Sequence, residues 1–316
     1  MHSVSTRPVV LVVGGTSGIG LAVAQRLGAR DGADAPHVVL ASRDRVSLAR
    51  AAASLPFEVG PEQQVELDVT DAAQVERAVE RVLDSHGRLD AVVTSAQVMA
   101  YGAVEQVPRE VFEHVVATAV HGTANLARTL LPLFRSQGHG SLVVVGSQLG
   151  EIPVPWMSSY VTAKWGQMGL VRSLQLEVAD APHVHVSLVS PGAVDTPIYA
   201  QAASYAGSAG SAPPPVVSAD RVAAAVVDCL EHPRRLVRVG PANGPGVLAH
   251  RLAPAVYDRI APLLVRLVVL RGPALPDHGG NVLRARPDGE GVSGGWTPLG
   301  RLRRPAGRAR WKRGER

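Results

Sequence analysis

The apolar run Val9–Val13 passes straight into Gly14-Gly15-Thr16-Ser17-Gly18-Ile19-Gly20, after which apolar residues resume at helical spacing through Leu27. Little else in the chain restricts the fold so tightly. A strand that opens through a glycine turn into a helix leaves the helix's first N–H groups, and its positive dipole end, facing outward beyond the strand. Glycine lets the backbone come close to a neighbour, and Thr16 and Ser17 add hydroxyl donors. Together these suit a phosphate. The plainer alternative is a glycine-rich turn that binds nothing; the strand–turn–helix setting favours the ligand. The spacing is G-x-x-x-G-x-G, not the commoner G-x-G-x-x-G of dinucleotide-binding turns.

The same rhythm continues. Apolar runs at Val38–Ala41, Val65–Leu67, Ala91–Val93, Leu142–Val145, Val184–Val189 and Leu236–Val239 alternate with helical patterns at 46–53, 72–83, 109–134, 158–178 and 219–230. Apolar strands separated by helices predict an α/β fold with a doubly wound parallel sheet covered on both faces, and ligands beyond the carboxyl ends of its strands. We place this unit at residues 1–243. The loop 196–218, rich in Ala, Ser, Gly and Pro, reads as a lid or binding loop, or else as disordered. Residues 244–272 read as an amphipathic helical extension broken at Pro254 and Pro262, with Arg251, Arg259 and Arg266 on one face. Residues 273–316 are rich in Gly, Pro and Arg and are expected to be extended or disordered.

Charge and cysteine usage narrow the function classes. The net charge of +5 resides in a basic tail: residues 301–316 carry eight basic groups against Glu315, a net +7, which leaves the first 300 residues at −2. Nucleic acid is therefore not an expected partner of the folded body. Cys229 is the only cysteine, so no internal disulfide can form, and a reducing, cytoplasmic setting is expected. The N-terminus lacks a signal-peptide layout, and the apolar stretch 247–270 is interrupted by charges, so no membrane span is expected; a weak membrane-surface contact stays open.

One stretch carries chemistry. Tyr160 and Lys164 are four apart and share a helix face, and Ser147 lies just beyond the strand Leu142–Val145. These three side chains can converge on one carbonyl oxygen. Lys164 and Lys312 are the only lysines among 32 basic residues. In a chain that otherwise uses arginine, position 164 holds a compact ammonium. Where the second strand ends, Ser42 stands in the place of the acid that would bind ribose hydroxyls, and Arg43 beside it suits a 2′-phosphate, so NADP(H) is favoured over NAD(H). Asp44 there has a structural explanation as a helix N-cap.

With these residues in view, the chain resembles the short-chain dehydrogenase/reductase family over about residues 8–240. Gly14, Gly18 and Gly20 match its glycine motif, and Asp68-Val69 its adenine-side acid. Ser147, Tyr160 and Lys164 match its serine and Y-x-x-x-K, and the segment from Pro191 and Gly192 through Val194 to Thr196 its P-G stretch beside the nicotinamide. The resemblance implies a Rossmann-type fold and a dinucleotide held by Gly14, Thr16, Ser17, Gly18, Ile19, Gly20, Ser42, Arg43, Asp68, Val69, Ala96, Tyr160, Lys164, Pro191, Gly192, Val194 and Thr196. It implies that Tyr160 exchanges a proton with the substrate oxygen, its pKa of about 10 lowered by Lys164 and the oxidised nicotinamide. Ser147 would orient the carbonyl. Homodimers or homotetramers are also implied.

Two departures stand out. The family's N-N-A-G is Thr94-Ser95-Ala96-Gln97 here, so Gln97 brings a side chain where glycine leaves room. The family's relay asparagine falls on Ala119; Asn125 lies too far round the helix to replace it, and a water is expected to fill the gap. These departures keep alive an NADP(H)-binding sensor or scaffold without turnover. The segment 192–219 holds no Lys or Arg and only Asp195, and 148–159 adds only Glu151, which points to a neutral, apolar carbonyl compound or alcohol. Trp156 and Met157 are expected to wall its pocket. The pairs His183/His185 and His114/His121 lack a third ligand in sequence, and packing explains them better than a metal.

Overall fold

The computed structural model describes residues 7–30, 32 and 35–297; the basic stretch 301–316 lies outside the described residues. The first half runs β1 (Val9–Val13), α1 (Gly18–Gly28), β2 (His37–Ser42), α2 (Arg45–Ser54), β3 (Gln64–Glu66), α3 (Ala72–His86) and β4 (Ala91–Thr94). There follow the two-residue strand β5 (Ala100–Tyr101), α4 (Arg109–Gln137), β6 (Gly140–Val145), α5 (Ser158–Glu177) and β7 (Val184–Pro191). The long loop holds β8 (Val194–Asp195), α6 (Ile198–Gln201), β9 (Ala203–Ser204) and β10 (Val217–Ser218) before α7 (Ala219–Glu231) and β11 (Leu236–Val239). Last come α8 (Asn243–Leu252) and α9 (Pro254–Leu264), the latter continuing into a π-helical turn at Val265–Val269.

Seven strands form one parallel sheet in the order β3-β2-β1-β4-β6-β7-β11. Side chains alternate across each strand. Val10 and Val12 therefore join Leu21, Leu48 and Val222 from α1, α2 and α7 on one face. On the other, Val9, Leu11 and Val13 meet Val75, Leu130 and Val171 from α3, α4 and α5. The chain leaves β1 toward one edge and β4 toward the other, so a crevice opens above the carboxyl ends of these two neighbours.

Three stretches show features that the sequence pattern did not announce. Pro262 does not break α9: it sits inside the helix, whereas Pro254 takes the N-terminal position where its missing N–H costs nothing. The loop 196–218 is anchored by small parallel pairings, β5 with β9 and β8 with β10, that no periodicity announces. Residues 273–297 run extended over the body, as a strap fixed at several points. Asn281 N–H donates to the Gln201 carbonyl at 2.9 Å, Val282 is fully buried, and Trp296 is 9% exposed. Trp296 donates from its backbone N–H to Asp195 at 2.7 Å and from its indole to the Thr196 carbonyl at 3.0 Å. The α8–α9 segment covers Val247, Ala261, Val265 and Val269 but leaves Leu252, Leu263 and Leu267 exposed. No described helix is long and apolar enough to cross a membrane.

The turn after β1 leaves no room for a side chain. A Cβ on Gly20 would stand 2.2 Å from the Gly14 carbonyl oxygen and 2.6 Å from Ser95 Oγ. Neither the turn nor β4 can retreat without opening the sheet. Gly20→Ala should cost about 1–3 kcal/mol of stability, as overpacking does elsewhere. Urea unfolding checks this: the midpoint should fall at unchanged slope, and an unshifted midpoint would mean that the turn can yield to a methyl group.

Candidate active site

Two adjoining cavities of about 170 Å³ each occupy the crevice. Ile19, Ser95, Gln97, Thr196 and Ile198 line both, so they form one groove. The half over α1 and β2 is bordered by Gly14, Thr16, Ser17, Gly18, Ile19, Ser42, Arg43, Val69 and Ala96. Gly14 and Gly18 adopt φ of +76° and +53°, which only glycine takes without strain, and a Cβ on Gly14 would lie 2.8 Å from the Ala96 nitrogen. Asp68 stands between the lining residues Leu67 and Val69, but its carboxylate accepts from the Thr70 N–H at 2.9 Å and hydroxyl at 2.7 Å. Asp68 therefore shapes the loop under the groove. Gly20 acts from beneath, by letting α1 meet the turn.

The groove fits a dinucleotide. It runs from the glycine turn to Ser147, Tyr160 and Lys164, and the Gln97 amide, lining both cavities, has its oxygen and nitrogen buried without a partner. Unmet polar atoms in such a place fit a ligand's hydrogen bonds. The Gln97 side chain thus extends into the groove as a polar contact as well as narrowing it.

Ser147, Tyr160 and Lys164 converge in the second cavity, with Pro191, Gly192, Val194 and Thr196 opposite. Ser147 caps the turn after β6, accepting from the Leu149 N–H at 3.1 Å, and its hydroxyl stands beside the Tyr160 phenol. Burial pushes the Tyr160 pKa up to about 12, with Ser147 pulling against it. The expected lowering by Lys164 is not found. The ammonium is 5.8 Å from the Tyr160 ring centroid, and burial itself pulls Lys164 down to about 7, which weakens its field.

Lys164 is 3% exposed and donates to the Val145 carbonyl at 3.0 Å and to Gln167 Oε1 at 2.9 Å. Gln167 is the residue the sequence reading missed. Its amide donates onward to the Ala119 carbonyl at 3.3 Å and the Thr123 hydroxyl at 3.0 Å. A side chain three residues after Lys164 thus links the ammonium to the main chain at Ala119. That spacing, one helix face, was the available signal. Asn125 is spent elsewhere, donating to the Val69 carbonyl at 3.0 Å.

The substrate end is apolar: Met99, Leu149, Val154, Met157, Ile198 and Tyr199 line it, and Val265 and Val269 roof it from the π-helical turn. Met157 forms the expected wall. Trp156 stands behind it at φ 59°, with the Arg266 guanidinium 4.7 Å above its ring. Both nearby acids are consumed. Glu151, 3% exposed at its side chain, is held by Arg238 at 2.7 Å and Arg251 at 3.3 Å. Asp195 accepts from Ser293 and Trp296. Of the histidines, His114 lies 3.0 Å from the Arg43 guanidinium; because arginine only donates, that imidazole nitrogen accepts. Burial and Arg43 both lower its pKa. No group of three His, Cys, Asp or Glu among the described residues could hold a metal ion.

Comparison with known proteins agrees with this geometry. The family described as short chain dehydrogenase matches residues 8–206. The cattle protein named dehydrogenase/reductase SDR family member 4 is 35% identical over 189 residues, 60% of this chain and 66% of that protein. A short-chain dehydrogenase from Streptomyces avermitilis superposes with a TM-score of 0.65 at 26% identity, covering 80% of this chain and 96% of that one. An alcohol dehydrogenase from Thermococcus sibiricus, solved with 5-hydroxy-NADP, gives 0.59 at 28% identity over 74% of this chain and 95% of that one. With its glycine turn, parallel sheet and matched span in agreement, the chain belongs to the short-chain dehydrogenase/reductase family.

Proposed function

We propose that the chain is a nicotinamide-dinucleotide-dependent oxidoreductase that interconverts a neutral, largely apolar carbonyl compound and its alcohol. The observation that carries this is the convergence of Ser147, Tyr160 and Lys164 on one end of a groove whose other end is a phosphate-type turn. The kinship with an alcohol dehydrogenase solved with an NADP derivative supports the reaction class. When bound, the dinucleotide supplies or takes the hydride. The chain's own residues do the rest. Ser147 hydrogen-bonds and orients the substrate oxygen. Tyr160, which burial keeps protonated, donates its proton to that oxygen as the carbonyl is reduced and takes it back in oxidation. Lys164, positioned by Val145 and Gln167, faces the same space, where it can hold ribose hydroxyls. The apolar walls, the ion-paired Glu151 and the hydrogen-bonded Asp195 disfavour a charged substrate.

The competing reading, a dinucleotide sensor without turnover, rests on Gln97 narrowing the groove and on Ala119. Turnover decides between them. Oxidation of NADH and NADPH should be followed over a panel of apolar aldehydes and ketones. Turnover on at least one, lowered about 10²–10⁴-fold by Tyr160→Phe, is the expected result. Dinucleotide binding with no turnover on any compound would favour the sensor.

Gln167→Ala should lower kcat about tenfold or more, the worth of a hydrogen bond to a charged group, while the dinucleotide KM shifts less. Equal loss in both would make Gln167 merely structural. The buried ammonium also has a stability signature. Its folded pKa, about 7, lies below the 10.5 of an exposed lysine, so the folded state binds fewer protons between these values and stability rises with pH across that window. Lys164→Met should therefore inactivate the protein yet stabilise it most below about pH 7, the gain shrinking toward alkaline pH. Urea melts at a series of pH values would show this, and a pH-independent difference would refute it.

A further inference from the structure

The strap crosses the adenosine half of the groove and becomes part of it. Gly291 accepts from the Gly18 N–H at 2.8 Å and the Ser17 hydroxyl at 3.1 Å. The Arg43 guanidinium, on the opposite side, donates to the carbonyls of Asn281 and Val282, each at 2.9 Å. Between these ties, Asn281 and Glu290 line the groove beside Ser42 and Arg43. The family match ends at residue 206, so neither side chain lies in the shared core.

We propose that Glu290 is a specificity-determining residue that makes this groove select NAD(H) over NADP(H). This rests on the dinucleotide reading above. Three observations support it. First, the arginines that would welcome a 2′-phosphate are engaged: Arg43 with two strap carbonyls and His114, Arg45 with Glu66 at 2.5 Å, and Arg50 with Asp288 at 2.9 Å. Second, the half-buried Glu290 carboxyl faces Ser47 in the first turn of α2, close enough to Asp44, Arg43 and Arg50 to feel all three charges. An acid is thus returned to the place left vacant when β2 ends in Ser42, and it comes from the far end of the chain. Third, Asn281 Oδ1 is buried without a partner in the same wall. A carboxylate and an amide oxygen accept hydrogen bonds. The hydroxyls of an unmodified ribose can donate to them; a 2′-phosphate offers only acceptors and like charge.

Fluorescence titration of the full chain with NADH and with NADPH tests this without needing a substrate. It is best run near about pH 8, above the value of about 7 to which burial raises Glu290, so that the carboxylate is ionised. Wild type should bind NADH about tenfold or more tightly than NADPH, and Glu290→Gln should narrow that ratio at least about tenfold, chiefly by improving NADPH, a change of about 1.4 kcal/mol. Glu290→Ala should act in the same direction, which separates the charge from any effect of the amide. Tighter binding of NADPH by wild type, or a ratio unchanged in both variants, overturns the proposal alone. Binding of neither nucleotide overturns it together with the dinucleotide reading beneath it.

Discussion

Between the ends of β1 and β4 there is no room for a side chain, and much of the molecule follows from that closeness. The two strands are paired neighbours, yet their onward connections leave in opposite directions. Gly14 can approach Ala96 only because it has no Cβ, and Gly20 lets α1 begin directly beneath. The result is a helix N-terminus, with its positive dipole end, at the mouth of a crevice. Both cavities, the convergent hydroxyls and the roof from the π-helical turn are arranged around it.

At the other end of the crevice the protein retains a lysine that its surroundings disfavour. Lys164 is buried, burial pulls its pKa down to about 7, and its contacts are a strand carbonyl and one amide oxygen, with no carboxylate to balance it. Gln167 makes this tolerable. It accepts from the ammonium on one side and is itself held by the Ala119 carbonyl and Thr123 hydroxyl on the other. The amide network links α5 to α4, so the orientation of the lysine depends on packing between the two longest described helices. Tyr160, meanwhile, is kept protonated by the burial that weakens the lysine. That state suits an acid awaiting a carbonyl.

The strap joins the two ends. It pins Arg43, touches the glycine turn and ends on Asp195 and Thr196 beside the cavity that holds Tyr160. Thr196 lines both cavities, so the strap's last anchor braces the wall where the two meet. Asp195 is the one charged residue of the segment 192–219. The strap consumes it, which leaves the cavity more apolar than the sequence alone implied.

The pattern of apolar strands and helices, the glycine spacing and the Tyr160–Lys164 register were legible in the sequence because each depends on near neighbours. Strand alternation, helix periodicity and turn chemistry are local properties, and they locate the seven sheet strands to within a few residues. Gln167 lay within reach of the same reasoning, at i+3 from Lys164, but its role depends on Ala119 and Thr123 of another helix. The small pairings of the loop 196–218 and the course of residues 273–297 had no periodic signature. The residues around Arg43 show the division most clearly. Local sequence determined that β2 would end in Ser42 and Arg43. Only the tertiary structure decided what those residues face, because the carbonyls that occupy Arg43 and the carboxyl of Glu290 arrive from more than 200 positions away. No local preference encodes that contact; it exists because the folded sheet gives the strap a groove to lie across.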